Sequence, residues 1–409
     1  MRGRPYLMQT ITVAGAGFSG LTTAYFLTKK GFKVRIIEKT DRVGGLIKTI
    51  HTAHGLVETA ANGLLNSVRL EAMCADIGVP LIPTRKEGRK RFIYRGKPKQ
   101  VPLKLSEIMK MALRFGVSAR KLRPRQFETI ADWGRRVIGR GATDYLLTPA
   151  LGGIYAGDPE QLSAGLIFGR VPLPHHLQTN RPVKARMRGT VAPPDGMQQM
   201  IFGLQNYLEN AGVEFQFNQD SAAGAGEPLV LCLSARATAQ YLAAEAPALS
   251  EALERIQMLS IATATCFYAP EAAKLNGFGC LFPRDQRFRA RGVLFNDSIF
   301  EGRGPAHGET WIFGGALDPE VLKLTDVEFS NLIASERQRF YGRKDQPLEV
   351  HITRWPDALP HYSIELERVL GGLPAPPGNI SLVGNYLGRI GLAKILERAA
   401  VVAENLGVN

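Results

Sequence analysis

A chain of 409 residues with 45% hydrophobic content is long enough for two or three domains, each with its own core. Its four cysteines (Cys74, Cys232, Cys266 and Cys280) include no CxxC pair and its seven histidines show no ligand spacing, which argues against a metal site or a disulfide framework and fits a reducing cytosol. A formal net charge of +14 points to anionic contacts, and no apolar run has the length needed to span a bilayer.

The N-terminal sequence MRGRPYLMQTITVAGAG is basic and then apolar, as a signal peptide is. Its apolar part, Ile11 to Ala14, is also the first strand of an α/β unit, so cleavage would destroy that unit and export is not expected. Gly15-Ala16-Gly17-Phe18-Ser19-Gly20 follows as a glycine turn, then a helix over Leu21 to Thr28, then a strand over Val34 to Ile37 that ends at Glu38. In this context GxGxxG is a dinucleotide site. Gly15 makes the turn, Gly17 admits a pyrophosphate, and Gly20 lets helix and strand pack closely. Phe18 and Ser19 open the helix whose free N–H groups face the phosphates. Glu38, followed by Lys39, is placed to accept hydrogen bonds from a ribose. A second glycine pair, Gly44-Gly45, follows within Asp41 to Thr49, flanked by Arg42 and Leu46.

Val57-Glu58 ends a short strand and Arg69 to Ile77 is helical, completing the first cofactor segment, 1–83. Segment 84–185 is basic, with clusters from Arg85 to Lys104 and from Arg120 to Arg140 and an apolar helix from Ile108 to Phe115. Basic and apolar residues interleaved in this way suit the surface of an anionic membrane. No nucleic-acid module is visible, so nucleic acid is not an expected partner. Segment 186–245 returns to the cofactor domain through a helix (Gln198 to Glu209), a strand (Val213 to Phe217) and the apolar run Pro228 to Ser234. Alternating strands such as Thr263 to Tyr268, Gly292 to Phe295 and Trp311 to Gly314 predict a mostly antiparallel substrate sheet over 246–358. Segment 359–409 closes the cofactor domain with Ile380 to Gly384 and a helix from Gly391 to Leu406. The expected fold is thus α/β with a discontinuous Rossmann-type domain, a sheet domain and a helical membrane-associating insertion.

Several segments together resemble a known family. Asp41 to Thr49 is similar to the xxRxGGRxxT extension of two-dinucleotide-binding-domain flavoproteins, with Leu46 where amine oxidases and desaturases usually carry Arg. Thr148 to Ser163 resembles the EPxxxGVYAGDPxxLS signature of protoporphyrinogen oxidases, and Arg91-Phe92-Ile93-Tyr94 resembles their RFLY element. Gly277-Phe278-Gly279, Arg354-Trp355-Pro356 with Leu359 to Tyr362, and Gly384-Asn385-Tyr386-Leu387-Gly388 with Gly391 match further motifs in family order. The resemblance runs from about residue 10 to about residue 400 and includes the coproporphyrinogen-oxidising members.

It implies FAD held by Gly15, Gly17, Phe18, Ser19, Gly20, Glu38, Lys39, Arg42, Gly44, Gly45, Leu46, Gly384, Asn385, Gly388 and Gly391. It implies Arg91 on a substrate propionate, Gly153 and Tyr155 beside the substrate, Asn62 near the flavin in a catalytic position, and no metal. The implied reaction is porphyrinogen oxidation in haem synthesis, with oxygen as acceptor and hydrogen peroxide as product. The implied setting is cytoplasmic, peripheral on the inner face of the cell membrane, with a downstream chelatase as a partner. Two departures stand out. Ala60-Ala61 replaces the usual Gly-Pro before Asn62, and 218–228 is a short loop where the family inserts two strands. Asn62-Gly63 also suits a plain turn, and Arg91 also suits a solvated basic surface. A flavin amine oxidase and a non-catalytic porphyrin-binding homologue remain the alternatives.

Overall fold

The protein is described from a computed structural model, in residues 10–115, 122–178, 185, 188–220, 227–388 and 390–406. The basic residues before Thr10, Arg120, and residues 221–226 of the short loop lie outside the described residues.

A five-stranded sheet, parallel throughout, carries the cofactor domain in the order 214–217, 33–38, 10–14, 229–231, 380–382. The strand Thr10–Ala14 lies at its centre, which is why Ile11, Thr12, Val13 and Ala14 are buried on both faces. The helix Phe18–Lys29 returns over the sheet against the C-terminal helix Leu392–Leu406. It stops at Lys30, where Gly31 takes the positive φ of +84° that ends many helices. Ala14, Glu38, Leu231 and Leu382 bring the carboxyl ends of four strands to one edge, where ligands of open parallel sheets bind.

The second sheet has seven strands in the order 349–360, 258–268, 307–314, 292–295, 279–281, 91–94, 98–99. It is antiparallel except where Gly279–Leu281 runs parallel to Arg91–Tyr94. Two strands from the segment read as a helical insertion therefore belong to this sheet, and helices predominate only from Leu105 onward. The helix there spans Leu105–Phe115, three residues earlier than the sequence suggested. The Glu107 carboxylate accepts from Lys104 N at 2.7 Å and so secures that first turn.

Period-two alternation gives the seven-stranded sheet two distinct faces. Ala262, Ala264, Trp311, Phe313, Val293 and Cys280 form a closed core against the helix Asp326–Tyr341. The other face, built from the registered neighbours Trp355, Ile261, Thr263, Ile312, Leu281 and Arg91, turns toward the cofactor domain. Leu294 of this face packs directly on the cofactor-domain core.

Candidate active site

The two glycine motifs meet. Gly44 N donates to Ala16 O at 2.8 Å, and Gly17 and Gly44 form an isolated parallel bridge. A Cβ on Gly20 would lie 1.8 Å from Gly15 O, so this glycine serves helix–strand packing. A Cβ on Gly15 would lie 2.8 Å from Cys232 O, in a turn with φ of +98°. Gly17 differs: a Cβ there meets only Gly45 Cα at 3.8 Å, so its outer side is open. Gly17 is also the N-cap of the helix and supplies no side chain to cap it. Phe18 is buried, and Ser19 carries the carbonyl that receives the Thr23 hydroxyl at 2.7 Å.

Glu38 reaches back across this turn. One carboxylate oxygen accepts from Ala16 N at 2.7 Å and the other from Thr40 N at 3.0 Å, while Lys39 beside it is exposed. Arg42 braces the second glycine turn, donating to Val43 O at 3.2 Å and Gly45 O at 2.5 Å. The residues that would hold an adenine dinucleotide are therefore gathered in one place. They comprise an open glycine, a helix start without a side-chain cap and a carboxylate at a strand end, and this donor set fits FAD.

From Leu46 the site extends into the second sheet. The Thr59 hydroxyl donates to Leu46 O at 3.0 Å and Thr59 N donates to Lys48 O at 3.0 Å. Thr59 O accepts from Trp355 Nε1 at 2.7 Å. The loop Thr59–Gly63 is thus tied to the second glycine motif on one side and to the sheet on the other. Leu46, 40% exposed, and Asn62, half-buried, lie at this junction. The Asn62 amide makes no hydrogen bond among the described residues. Neither Asn62 nor Gly63 has a positive φ. Gly63 is needed because a Cβ would lie 2.8 Å from Val191 O, so close packing rather than a left-handed turn accounts for the Asn-Gly pair.

The closing motif is anchored in the same region. Asn385 Nδ2 donates to Ala358 O at 3.2 Å, and the Tyr362 hydroxyl donates to Asn385 O at 2.6 Å. A Cβ on Gly384 would fall 2.3 Å from the Tyr386 ring, and Gly388 and Gly391 have φ of +87° and +102°.

The signature around Gly153 forms the helix Thr148–Tyr155, ended by Ala156 in the left-handed region. A Cβ on Gly153 would lie 2.6 Å from Leu281 Cδ2, which places this glycine against the sheet face turned toward the cofactor. Tyr155 packs against Tyr362 with ring centroids 5.0 Å apart, and burial pushes its hydroxyl pKa up. Arg91 lies on that same face, near its far edge, with its guanidinium 4.1 Å over the Phe278 ring. It forms no ion pair among the described residues, so its charge remains available to an incoming carboxylate.

Three contributors were not expected as site residues from the sequence, although Trp355 and His361 stand in motifs matched there. Trp355 and Thr263 hold the Thr59 loop, and His361 holds the turn after Ala156. His361 Nε2 accepts from Asp158 N at 3.3 Å while Nδ1 faces Gln257 Oε1 at 3.0 Å. Burial lowers its pKa and so favours the neutral ring that this geometry requires. All three pair with residues about 100 to 300 positions distant, which local patterns do not encode. No cluster of potential metal ligands is found among the described residues.

The model of the flavin-containing amine oxidoreductases matches residues 18–222. The chain belongs to that family, and it is an FAD-dependent oxidoreductase. It is 24% identical to the chloroplastic protoporphyrinogen oxidase of Nicotiana tabacum, over 99% of this chain and 86% of that one. It is 19% identical to the coproporphyrinogen III oxidase of Bacillus subtilis (strain 168), over 87% of each chain. A crystal structure from Exiguobacterium sp. 255-15 shares the fold with a TM-score of 0.78 at 20% identity, covering 98% of this chain and 99% of that one.

Proposed function

We propose that the protein oxidises a porphyrinogen to the porphyrin, in haem synthesis. The observation that carries this reading is Arg91: a cation without an acidic partner among the described residues, on the sheet face that runs from the Thr59–Gly63 loop. That arrangement suits a broad apolar macrocycle with a carboxylate at its far rim, and it suits a small cationic amine poorly.

FAD, when bound by the two glycine turns, Glu38 and the closing motif, would supply the two-electron oxidation, with oxygen as the acceptor and hydrogen peroxide as the product. The protein's own work is placement. Arg91 fixes the propionate end. Leu281, Ile312 and Leu294 wall the ring, and the absent side chain of Gly153 lets the backbone come close. Asn62 offers its amide at the cofactor junction. Loss of a meso hydrogen with its electron pair leaves a cation that the flanking electron-rich pyrroles stabilise, so no strong side-chain base is required.

The helix Leu105–Phe115 supports a peripheral position on an anionic membrane at the inner face of the cell membrane. Leu105, Met109 and Leu113 form a stripe at four-residue spacing, 74%, 59% and 70% exposed, with Lys104 and Lys110 beside it. Its other side packs through Leu103 and Met111 on Val137, Ile138 and Ala142. No helix among the described residues is long and apolar enough to cross a membrane. A chelatase is the class of enzyme that would take up the product.

Aerobic turnover tests the reading. Protoporphyrinogen and coproporphyrinogen are supplied separately, and porphyrin fluorescence is followed together with peroxide. Porphyrin formation from one of them with matching peroxide is the expected result. No acceleration over the uncatalysed oxidation of either would refute it, and turnover of primary amines instead would favour the amine-oxidase alternative.

A further inference from the structure

A cavity lies beside the glycine pair and is lined by both Gly152 and Gly153. Gly153 faces Leu281 and the cofactor-directed sheet face, but Gly152 looks away from it: the nearest atom to a Cβ there is Arg291 Nη1, at 4.0 Å. The cavity, of about 690 Å³, opens between the helix Thr148–Tyr155 and the turn joining the strands 279–281 and 292–295. Sites for small organic ligands are commonly about 300–1,000 Å³.

Most of the charge around this cavity is already paired within the protein. Arg289 holds Asp318 at 2.7 and 3.0 Å, Arg135 holds Glu160 at 3.0 Å, and Arg284 lies 3.8 Å from Asp158. The Tyr145 hydroxyl donates to Asp285. Arg291 is different. Its Nε donates to Gly314 O at 2.5 Å, but Nη2 is shielded from solvent and has no hydrogen-bond partner among the described residues. Among the described residues it forms no ion pair, and burial draws its pKa down to about 10. A largely buried guanidinium with an idle donor is costly, and a carboxylate meeting Nη1, the nitrogen nearest Gly152, satisfies the charge better than any neutral acceptor.

The remaining walls are flat and apolar. Phe282 and Phe288 stack with centroids 4.1 Å apart and 12° between their planes, and Pro149 and Pro283 extend the same lining.

We propose that this cavity, which Arg91 does not line, binds a planar aromatic carboxylate whose acid group is held by Arg291 and whose ring lies against Phe282 and Phe288. Nothing in this assignment depends on the porphyrinogen reading.

Calorimetric titration of the FAD-loaded protein with 2-naphthoate tests it, with 2-naphthylmethanol as the neutral comparator. The acid is expected to bind at least tenfold more tightly than the alcohol while the flavin absorption band stays in place. Arg291→Gln removes that tenfold preference by weakening the acid alone, and Arg91→Ala leaves the acid's affinity unchanged. Equal binding of acid and alcohol by the unaltered protein overturns the proposal, as does the absence of acid binding at millimolar concentration. Retention of full acid affinity by Arg291→Gln overturns it too, as does loss of acid binding in Arg91→Ala with a shifted flavin band. Should Arg291→Gln fail to fold, the acid–alcohol comparison and a Phe288→Ala variant, expected to weaken both probes, decide the matter.

Discussion

Gly17 and Gly20 stand three residues apart in one turn and carry different duties. A Cβ on Gly20 would collide with Gly15 O, whereas one on Gly17 would meet only Gly45 Cα at ordinary contact distance. Gly20→Ala is therefore expected to destabilise the protein without cofactor by about 1–3 kcal/mol, the usual range for overpacking a tight core. Gly17→Ala should leave the melting of the same apoprotein nearly unchanged yet weaken FAD binding at least tenfold. Thermal melts and flavin titration of both variants separate the two roles, and Gly17→Ala binding FAD normally would contradict the assignment. A further prediction concerns Arg91. Arg91→Ala should raise the KM for porphyrinogen by about 10- to 150-fold, the equivalent of about 1.5–3 kcal/mol for one charge-assisted contact, with flavin content intact. This turn was legible in the sequence because strand, glycines and helix are contiguous and each glycine answers to a local steric demand. Arg91 was legible only as a basic residue within a resemblance. Its place on the cofactor-directed face follows from Gly279 pairing with it across 188 positions of sequence, 279 minus 91.

The amphipathic helix and the buried strands yield two predictions at the scale of elements. Replacing Leu105, Met109 and Leu113 with glutamate should abolish co-sedimentation with anionic vesicles while detergent-free turnover in solution is retained. Unchanged vesicle binding by that triple variant would remove the helix from the membrane reading. In the strand His307–Gly314, buried His307 lies 2.9 Å from Asp297 and 3.1 Å from Glu309. Burial alone would lower its pKa, but these two hydrogen-bonded carboxylates outweigh it and raise the group from 6.5 to about 9. The folded state then holds a proton that the unfolded chain releases. Its stabilisation is complete below pH 6.5 and is lost as pH rises through about 9. His307→Gln should flatten the fall in melting temperature over that window, and an unaltered pH profile would refute the charged pairing. The alternation of these strands was readable from sequence, as period two makes it. The recruitment of Arg91–Tyr94 and Pro98–Lys99 to the same sheet was not, because parallel pairing with a strand far along the chain leaves no periodic trace.

Across the whole molecule, Thr59 is one of the joints between the cofactor domain and the substrate sheet, its carbonyl accepting from Trp355 and Thr263. Trp355 Nε1 reaches Thr59 O over 296 positions of sequence, and Tyr362 reaches Asn385 O in the closing motif. Trp355→Phe keeps the ring but loses the donor, so stability should fall by about 1 kcal/mol. Turnover should also drop several-fold as the Thr59–Gly63 loop relaxes. Melting and steady-state kinetics together check this, and unchanged turnover would remove Trp355 from the positioning of the site. The ordered motifs in the sequence made the discontinuous cofactor domain legible, whereas the joints between the domains depend on single distant contacts and emerge only from the fold. The central claim is that this assembly brings a porphyrinogen against bound FAD. Anaerobic mixing of the FAD-loaded protein with protoporphyrinogen and, separately, coproporphyrinogen measures that step directly. Rapid loss of the flavin's visible absorption is expected with one of them, faster than with free FAD, and porphyrin fluorescence should grow further once air is admitted. A flavin that stays oxidised with both substrates would contradict it.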